Sequence, residues 1–336
     1  MTNNLVPEQE LKDLAIKKLC SVGVRKDTAQ LVAEVLVFAD KTGVNSHGVL
    51  RVEHYCKRIL SGGMNPDANF SCESISPSAA LFNADDGMGH AAMIEATDEA
   101  ITMAKQNGIG FVLVKNASHC GALSYYVNQA ANAGMCSIVM TQTDKCVAPY
   151  GGTMPFFGTN PLAFGFPVKG KDNVIIDMAT SEVALGKILH ARETGDDIPT
   201  NWALDKTGAP TSDANAACTL LPFAGAKGYA IGLAIDALTG VLAGGNYGPN
   251  VNGMYSDYEK MRKLGSMVLA IDPKAFGNLD FSDVMAQMVS DIHDQPPAKG
   301  FDSVMYPGEP QHKFRRKCEQ LDQIPVAQEV YSYLVS

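Results

Sequence analysis

The hydrophobic pattern of this chain changes once, near Asn65 and Pro66, and this change constrains the fold more than any other feature. Before it, apolar residues recur at helical spacing in three stretches, the last of which stops at a pair of glycines. After it, short apolar runs such as 79–82 and 110–114 alternate with helical stretches. Strands mixed with helices are typical of α/β and α+β domains. The sequence therefore predicts a helical N-terminal unit followed by a larger unit built on a sheet.

Size and charge limit the classes of protein that the chain can belong to. Its 336 residues exceed what one hydrophobic core usually holds, so we expect a helical domain over 1–66 and an α/β domain over 67–310. The net charge of −9 argues against a nucleic-acid partner. The most apolar window, 230–244, is too short to span a bilayer. The eight cysteines show no zinc-ligand spacing, and the first residues do not resemble a signal peptide. We expect a soluble cytoplasmic protein without a metal ion.

A glycine-rich segment at 87–92 matches the dinucleotide fingerprint G-x-G-x-x-A. A Rossmann site also needs an acidic residue at the end of the next strand, where it binds the ribose hydroxyls. Here the next apolar run ends at Val114 and is followed by Lys115 and Asn116, without a carboxylate. The residues before the first glycine, Asp85 and Asp86, are typical of a turn. The sequence therefore favours a turn that leads into a packed helix over a classical Rossmann fold.

His47, Arg51 and Tyr55 stand four residues apart in the third helical stretch, which we expect to begin with Ser46 as its N-cap. At that spacing the three side chains share one face of the helix. A guanidinium group binds a carboxylate with two hydrogen bonds, so such a face suits an acid substrate. A solvated face with a surface arginine and a half-buried tyrosine is the simpler alternative, and spacing alone favours it.

His119 lies between the apolar run 110–114 and a helical stretch over 123–133. Loops that join a strand to a helix often present a side chain to a cleft. A histidine that titrates near neutrality can accept the hydroxyl proton when an alcohol is oxidised. A histidine that only hydrogen-bonds within its loop is the alternative, and the residues alone do not decide between the two.

Two further segments suit a dinucleotide. Residues 177–181 join an expected strand to a helix expected over about 181–190, so free backbone N–H groups there could meet a phosphate. Residues 225–228 open another helix, with two glycines that permit close approach and with Lys227 as a positive charge. Each segment taken alone is more often an ordinary helix start.

Six segments, taken in order and at this spacing, resemble the malate/L-lactate dehydrogenase family, whose members lack the Rossmann fold. The resemblance extends over nearly the whole chain. The segments are Asn45-Ser46-His47-Gly48 with Arg51, Ser118-His119-Cys120-Gly121, Ala148-Pro149-Tyr150-Gly151-Gly152, Gly158-Thr159-Asn160-Pro161-Leu162-Ala163-Phe164, Asp177-Met178-Ala179-Thr180 and Gly225-Ala226-Lys227-Gly228-Tyr229.

The resemblance implies a fold and a site. The C-terminal tail, 311–336, joins the helical domain, and the domain over 67–310 carries a mixed, largely antiparallel sheet that binds the cofactor and forms a homodimer or higher homo-oligomer. The general base maps onto His119. The substrate pocket maps onto Ser46, His47, Arg51 and Tyr55. The cofactor contacts map onto Thr143, Asp177, Met178, Ala179, Lys227, Gly228, Gly308 and Glu309.

The resemblance also bears on cofactor and substrate. Glu309 would repel a phosphate, which favours NAD over NADP. Residues 34–40, 306–308 and 330–334 resemble the branch of the family that oxidises (S)-ureidoglycolate to oxalurate with NAD, during allantoin degradation in purine metabolism. Alternatives within the family are the oxidation of malate, lactate or sulfolactate and the reduction of a keto acid. A dinucleotide-binding protein without catalytic activity is a more distant alternative.

Overall fold

The computed structural model describes residues 3–277 and 279–336. No helix in these ranges is long and apolar enough to cross a membrane. The helices are α1 (Glu8–Ser21), α2 (Lys26–Lys41), α3 (Arg51–Leu60), α4 (Gly89–Asn107), α5 (Ser124–Asn132), α6 (Leu185–Thr194), α7 (Ala226–Asp236), α8 (Phe281–His293), α9 (Glu309–Leu321) and α10 (Gln328–Val335). The strands are β1 (Asn3–Val6), β2 (Ser71–Ser76), β3 (Ala79–Asn83), β4 (Ile109–Ala117), β5 (Cys136–Thr141), β6 (Leu162–Phe166), β7 (Val174–Met178), β8 (Ala203–Leu204), β9 (Thr219–Leu220), β10 (Leu264–Ile271) and β11 (Ile324–Ala327).

The main sheet has seven strands in the order β2-β3-β4-β10-β5-β6-β7. Only β3 and β4 run parallel, and α4 connects them, whereas every other neighbouring pair in this sheet is antiparallel. A classical Rossmann sheet is mostly parallel. The expectation of a mixed, largely antiparallel sheet that is not a Rossmann fold is therefore confirmed.

The two glycines of the G-x-G-x-x-A match allow close packing of the backbone before and at the start of α4. Gly89 is the first residue of α4, and a Cβ atom there would lie 2.2 Å from the carbonyl oxygen of Ser118 and 2.8 Å from that of His119. A Cβ atom on Gly87 would lie 2.4 Å from the Cβ atom of Ala68. Because no side chain fits at Gly89, the start of α4 can press directly against the loop that follows β4.

The two largest of the four hydrophobic clusters in the described residues form the main cores of the chain. One lies between the main sheet and α4 and α5. The other contains apolar residues of α1, α2 and α3 together with residues of α9, β11 and α10. The two ends of the chain meet in a two-stranded antiparallel sheet, where Val6 pairs with Ile324. Where the chain divides into domains, with a boundary near residue 66, remains a prediction.

The segment before α3 differs from the expectation. Residues Asn45–His47 form a short 3-10 turn, and α3 begins only at Arg51, so the prediction that Ser46 caps this helix is wrong. The cause is the buried carboxylate of Asp40, which accepts a hydrogen bond of 2.8 Å from the backbone N–H of Val49. A Cβ atom on Gly48 would lie 2.0 Å from this carboxylate. Glycine at 48 therefore lets the turn fold over Asp40.

Candidate active site

One cavity of about 680 Å³ brings together residues from both cores, and its size is ordinary for a small-molecule or cofactor site. Nine of the predicted site residues line it, namely Ser46, His47, Arg51, His119, Thr143, Asp177, Met178, Ala179 and Gly308. Four predicted site residues are not part of its wall, namely Tyr55, Lys227, Gly228 and Glu309. No group of three or more His, Cys, Asp and Glu side chains within the described ranges is arranged to hold a metal ion.

His119 lies on the loop between β4 and α5, and a side chain outside the cavity wall contacts its imidazole on the side away from the cavity. Its Nδ1 atom is 2.7 Å from the hydroxyl oxygen of Tyr55, which leaves Nε2 as the nitrogen available to a ligand. Burial and then the nearby His47, His90, Arg51 and Arg262 lower the pKa of His119 well below its usual value. The imidazole is therefore neutral at pH 7, as a proton acceptor must be.

Arg51, His47 and Ser46 meet in the turn before α3. The Nε atom of Arg51 donates a 2.7 Å hydrogen bond to the carbonyl oxygen of Ser46, and its Nη1 atom donates one of 2.5 Å to the hydroxyl of Tyr255. No carboxylate within the described ranges forms an ion pair with Arg51. The imidazole rings of His47 and His119 stack at 5.6 Å, and burial and then the charge of Arg51 lower the pKa of His47 to about 4. Arg51 thus keeps a positive charge that an acid ligand can neutralise.

Tyr55 occupies a different place from the one that its spacing predicts. Because His47 lies in the 3-10 turn and not in α3, the expectation that His47, Arg51 and Tyr55 share one helical face is wrong. The side chain of Tyr55 is fully buried, behind the imidazole of His119. Its contact with the cavity is therefore indirect, through His119.

The sequence analysis missed a second arginine. Arg262 lines the cavity with a side chain only 1% exposed, and it forms an ion pair with Asp144, which also lines the cavity. Its Nε atom donates a 3.2 Å hydrogen bond to the carbonyl oxygen of Asn252. Asp144 and Arg262 are 118 positions apart, so no local spacing signals this pair. The cavity thus holds two guanidinium groups on the side of His119.

Tyr255 belongs to a loop that a buried arginine shapes. Arg58 of α3 is 0% exposed, and its guanidinium donates hydrogen bonds of 2.8–3.1 Å to five backbone carbonyls. These carbonyls belong to Gly253, Met254, Ser256, Asp257 and Lys260. The loop carries Met254 and Tyr255 into the cavity wall. This loop therefore forms part of the site.

The other half of the cavity can hold a dinucleotide. Residues 184–187, at the start of α6, line it, and a Cβ atom on Gly186 would meet nothing within 4 Å. The unpaired backbone N–H groups of a first helical turn bind phosphate, and Lys187 adds a positive charge. The expected helix start at 181 is wrong by four residues, because α6 begins at Leu185. Asp177 meanwhile accepts a 2.7 Å hydrogen bond from the backbone N–H of Ser124.

The second predicted phosphate segment does not reach the cavity. Lys227 is exposed near the start of α7, outside the cavity wall. A Cβ atom on Gly228 would lie 2.2 Å from the carbonyl oxygen of Phe223, so this glycine serves packing. The basic residue at a cavity-facing helix start is Lys187, which the sequence analysis did not select.

Glu309 lies near the cavity but faces away from it. Its carboxylate is within 2.8 Å of Nε2 of His293 and within 2.9 Å of Nζ of Lys313, and the residue is only 7% exposed. Hydrogen bonds from these two side chains help to lower the pKa of Glu309 against the opposing effect of burial. Glu309 is therefore neutralised within the protein, and its charge does not explain a preference for NAD.

Comparison with known proteins gives consistent results along the whole chain. The model of the family described as malate/L-lactate dehydrogenase matches residues 6–335. Ureidoglycolate dehydrogenase (NAD⁺) of Escherichia coli is 41% identical over 332 residues, which cover 98% of this chain and 95% of that protein. L-sulfolactate dehydrogenase of Methanocaldococcus jannaschii is 36% identical over 334 residues, again covering 98% and 95%. The solved structure of sulfolactate dehydrogenase from the same organism superposes with a TM-score of 0.92 at 34% identity, covering 98% of this chain and 95% of that one.

Proposed function

The chain belongs to the malate/L-lactate dehydrogenase family, and from this premise we propose that it oxidises (S)-ureidoglycolate to oxalurate, with NAD as the hydride acceptor. The observation that carries the proposal is the cavity in which a neutral His119 faces the same space as Arg51 and Arg262. A 2-hydroxy acid has a carboxylate for the arginines and a hydroxyl for the histidine. The identity of 41% to ureidoglycolate dehydrogenase (NAD⁺) supports this substrate over malate, lactate and sulfolactate.

In the proposed reaction, the chain orients the acid and removes its hydroxyl proton. Arg51 and Arg262 bind the carboxylate, and Ser46 lies beside them in the turn before α3. His119 accepts the hydroxyl proton at Nε2 while the carbon–hydrogen bond breaks and the carbonyl forms. NAD, when bound, supplies the nicotinamide carbon that accepts the hydride. The oxidation therefore yields the 2-oxo acid, and the hydroxyl proton resides on His119.

Substrate binding also brings the basicity of His119 towards the working range. Besides burial, the neighbouring His47 and His90 and the charges of Arg51 and Arg262 lower the pKa of His119. A bound carboxylate neutralises the charge of Arg51, whereas Arg262 is already paired with Asp144, so the pKa of His119 rises once the acid is in place. A base with a pKa nearer to neutrality accepts a proton more readily. The imidazole therefore becomes a stronger base when its substrate is present.

We expect NADH formation from (S)-ureidoglycolate, followed by absorbance, to exceed that from malate, lactate and sulfolactate by at least about tenfold in kcat/KM, because the site is complementary to one acid. The same assay with NADP in place of NAD tests the cofactor, and NAD is expected to support the faster rate. Fast turnover on another of these acids would keep the mechanism and reject the substrate. Cofactor binding without turnover on any acid would favour a dinucleotide-binding protein without catalysis.

We also propose that the chain works as a homodimer that buries the apolar face of α7 and the turn after it. Leu233, Leu238, Val241 and Leu242 on this face are all exposed, with Val241 and Leu242 each 56% exposed. Adjacent apolar side chains of this size on one surface are typical of an interface between protein chains. A second copy of the chain presents the same face, so the contact can be made symmetrically.

A charge on this face is expected to separate the dimer. Leu238→Asp should shift the mass in light scattering towards that of one chain, because the carboxylate would lose its hydration in the interface. Leu60→Asp places the same charge on a residue that is 75% exposed on α3, and this control variant should keep the mass of the dimer. An unchanged mass for Leu238→Asp would reject this interface.

The proposed setting is the cytoplasm, with allantoin degradation as the pathway. All eight cysteines are free thiols, including the exposed Cys72 and Cys218. Thiols remain reduced in the cytosol, whereas secreted proteins tend to form disulfides. The proposed substrate supports the pathway, because ureidoglycolate arises when allantoin is broken down.

A further inference from the structure

The hydroxyl of Tyr55 lies between two histidines. Its oxygen is 2.7 Å from Nδ1 of His119 and 3.3 Å from Nε2 of His90. Both Tyr55 and His90 are 0% exposed. Within the part of the chain that the structure describes, the other ring nitrogen of His90, Nδ1, has no hydrogen-bond partner. The contact with Tyr55 is therefore the one hydrogen bond that the structure shows for the imidazole of His90.

We propose that Tyr55 and His90 are positioning residues that determine which ring nitrogen of His119 carries the proton, so that Nε2 is free to accept the proton of the substrate hydroxyl. The inference rests on the proposed function, in which His119 is the general base. It goes beyond that function, because it requires a buried histidine outside the cavity wall, His90, to control the tautomer of His119. His119, Tyr55 and His90 are called the relay triad below.

Hydrogen counting in the relay triad leaves two arrangements. The hydroxyl of Tyr55 has a single hydrogen, which it can donate either to His90 or to His119. When it donates to Nε2 of His90, its oxygen accepts from Nδ1–H of His119, and Nε2 of His119 has a free lone pair. When it donates to Nδ1 of His119, the single ring proton of neutral His119 is on Nε2. Only the first arrangement allows His119 to act as a base towards the cavity.

The backbone next to His119 makes the role of His90 necessary. The N–H group of Gly121 donates to Nδ1 of His119 at 3.3 Å, a long hydrogen bond that by itself favours a lone pair on Nδ1 and the ring proton on Nε2. Without an acceptor at position 90, the hydroxyl of Tyr55 would turn to the same Nδ1 atom. Two donors would then face this nitrogen, which would keep the ring proton on Nε2, where it blocks the base. His90 prevents this by accepting the hydrogen of the Tyr55 hydroxyl.

Burial keeps the two inner members of the relay triad in the forms that the proposal needs. Burial and then the neighbouring His47 lower the pKa of His90 to about 3, so His90 stays neutral and retains an acceptor. Burial raises the pKa of Tyr55 above its usual value, so the phenol keeps its hydrogen. When His119 accepts the substrate proton, its imidazolium still donates Nδ1–H to the oxygen of Tyr55. The relay triad thus stabilises the protonated base without releasing a proton into the core.

The test compares two variants of His90. His90→Leu fills the site without an acceptor, and kcat is expected to fall about tenfold, the size of effect that the loss of one net hydrogen bond gives. The KM for the acid should change less than about twofold, because the variant leaves the contacts that bind the acid in the ground state in place. His90→Gln offers an amide oxygen as acceptor and should recover most of the lost kcat. Thr97→Val removes another buried hydrogen bond of α4 and serves as the matched control, with kcat unchanged.

A readout of the ring protons makes the test independent of turnover. With ¹⁵N-labelled histidine, the ring nitrogen shifts of His119 in the whole protein should show Nδ1–H in the wild type and in His90→Gln, but Nε2–H in His90→Leu. Tyr55→Phe should show Nε2–H as well, and it replaces His90→Leu if that variant does not fold. A wild type that oxidises no 2-hydroxy acid would reject the proposed function, while the ring shifts would still decide the inference. If kcat fell in His90→Leu while the tautomer of His119 stayed the same, the inference would be overturned. It would also be overturned if neither kcat nor the tautomer changed.

Discussion

Replacing His119 with alanine is expected to lower kcat by about 10²–10⁴-fold while the protein still binds NAD with its normal affinity. The imidazole of His119 faces the cavity, its Nδ1 atom is held by the hydroxyl of Tyr55, and it is neutral at pH 7 because burial and neighbouring positive charges lower its pKa. Alanine leaves the hydroxyl proton of the substrate without an acceptor. The residues at the start of α6 that can hold the phosphates are not changed, so cofactor affinity should persist.

Steady-state kinetics with (S)-ureidoglycolate and calorimetry with NAD measure these two effects separately. His190→Ala is the matched control, because His190 is an exposed histidine of α6 outside the cavity wall. This variant should retain the wild-type kcat. Normal turnover of His119→Ala would show that another group accepts the proton.

Replacing Arg51 with lysine should raise the KM for the acid by about 10- to 100-fold and leave the affinity for NAD within about twofold. Lysine keeps the positive charge but loses the planar fork, so it cannot bind a carboxylate with two parallel hydrogen bonds. It also cannot preserve both present contacts of the guanidinium, to the carbonyl of Ser46 and to the hydroxyl of Tyr255. One charge-assisted hydrogen bond contributes about 1.5–3 kcal/mol, which gives this range in affinity.

The comparison that decides the role of Arg51 is between substrate and cofactor. Arg25→Lys is a suitable control, since Arg25 lies on the surface near Asp27 and Asp67, outside the cavity wall. It should change neither affinity. If Arg51→Lys weakened acid and NAD equally, Arg51 would be a structural residue rather than a carboxylate ligand.

The sequence predicted those strands whose buried residues form a continuous apolar run in the chain. The strands β3 and β4 were predicted at 79–82 and 110–114, because each is a run of apolar residues in the interior of the sheet. Strand β2 escaped detection, since all six of its residues are exposed at the edge of the sheet. Strands β1 and β11 have only four residues each and form only when the ends of the chain meet.

In the candidate site, the residue types were easier to predict than the direction in which a side chain points. Arg51 and His119 line the cavity, although α3 begins later than expected, and their roles stay predictions. Tyr55 was expected beside them and lies behind His119 instead. Arg262 was missed, because its position in the site depends on Asp144, far away in the chain. Tertiary packing, rather than local spacing, decides these positions.

The way in which Arg58 holds the loop after Gly253 has a consequence for the redesign of this enzyme. All five hydrogen bonds of its guanidinium go to backbone carbonyls, so the path of the loop does not depend on the side chains that the loop carries. Tyr255, which is 51% exposed, can then be exchanged for larger, smaller or charged residues on a backbone that keeps its course, whereas Met254 is buried in the core that contains α1, α2 and α3. The loop is a ready place for libraries that alter acid selectivity, and Arg58 is the residue to leave untouched while they are screened.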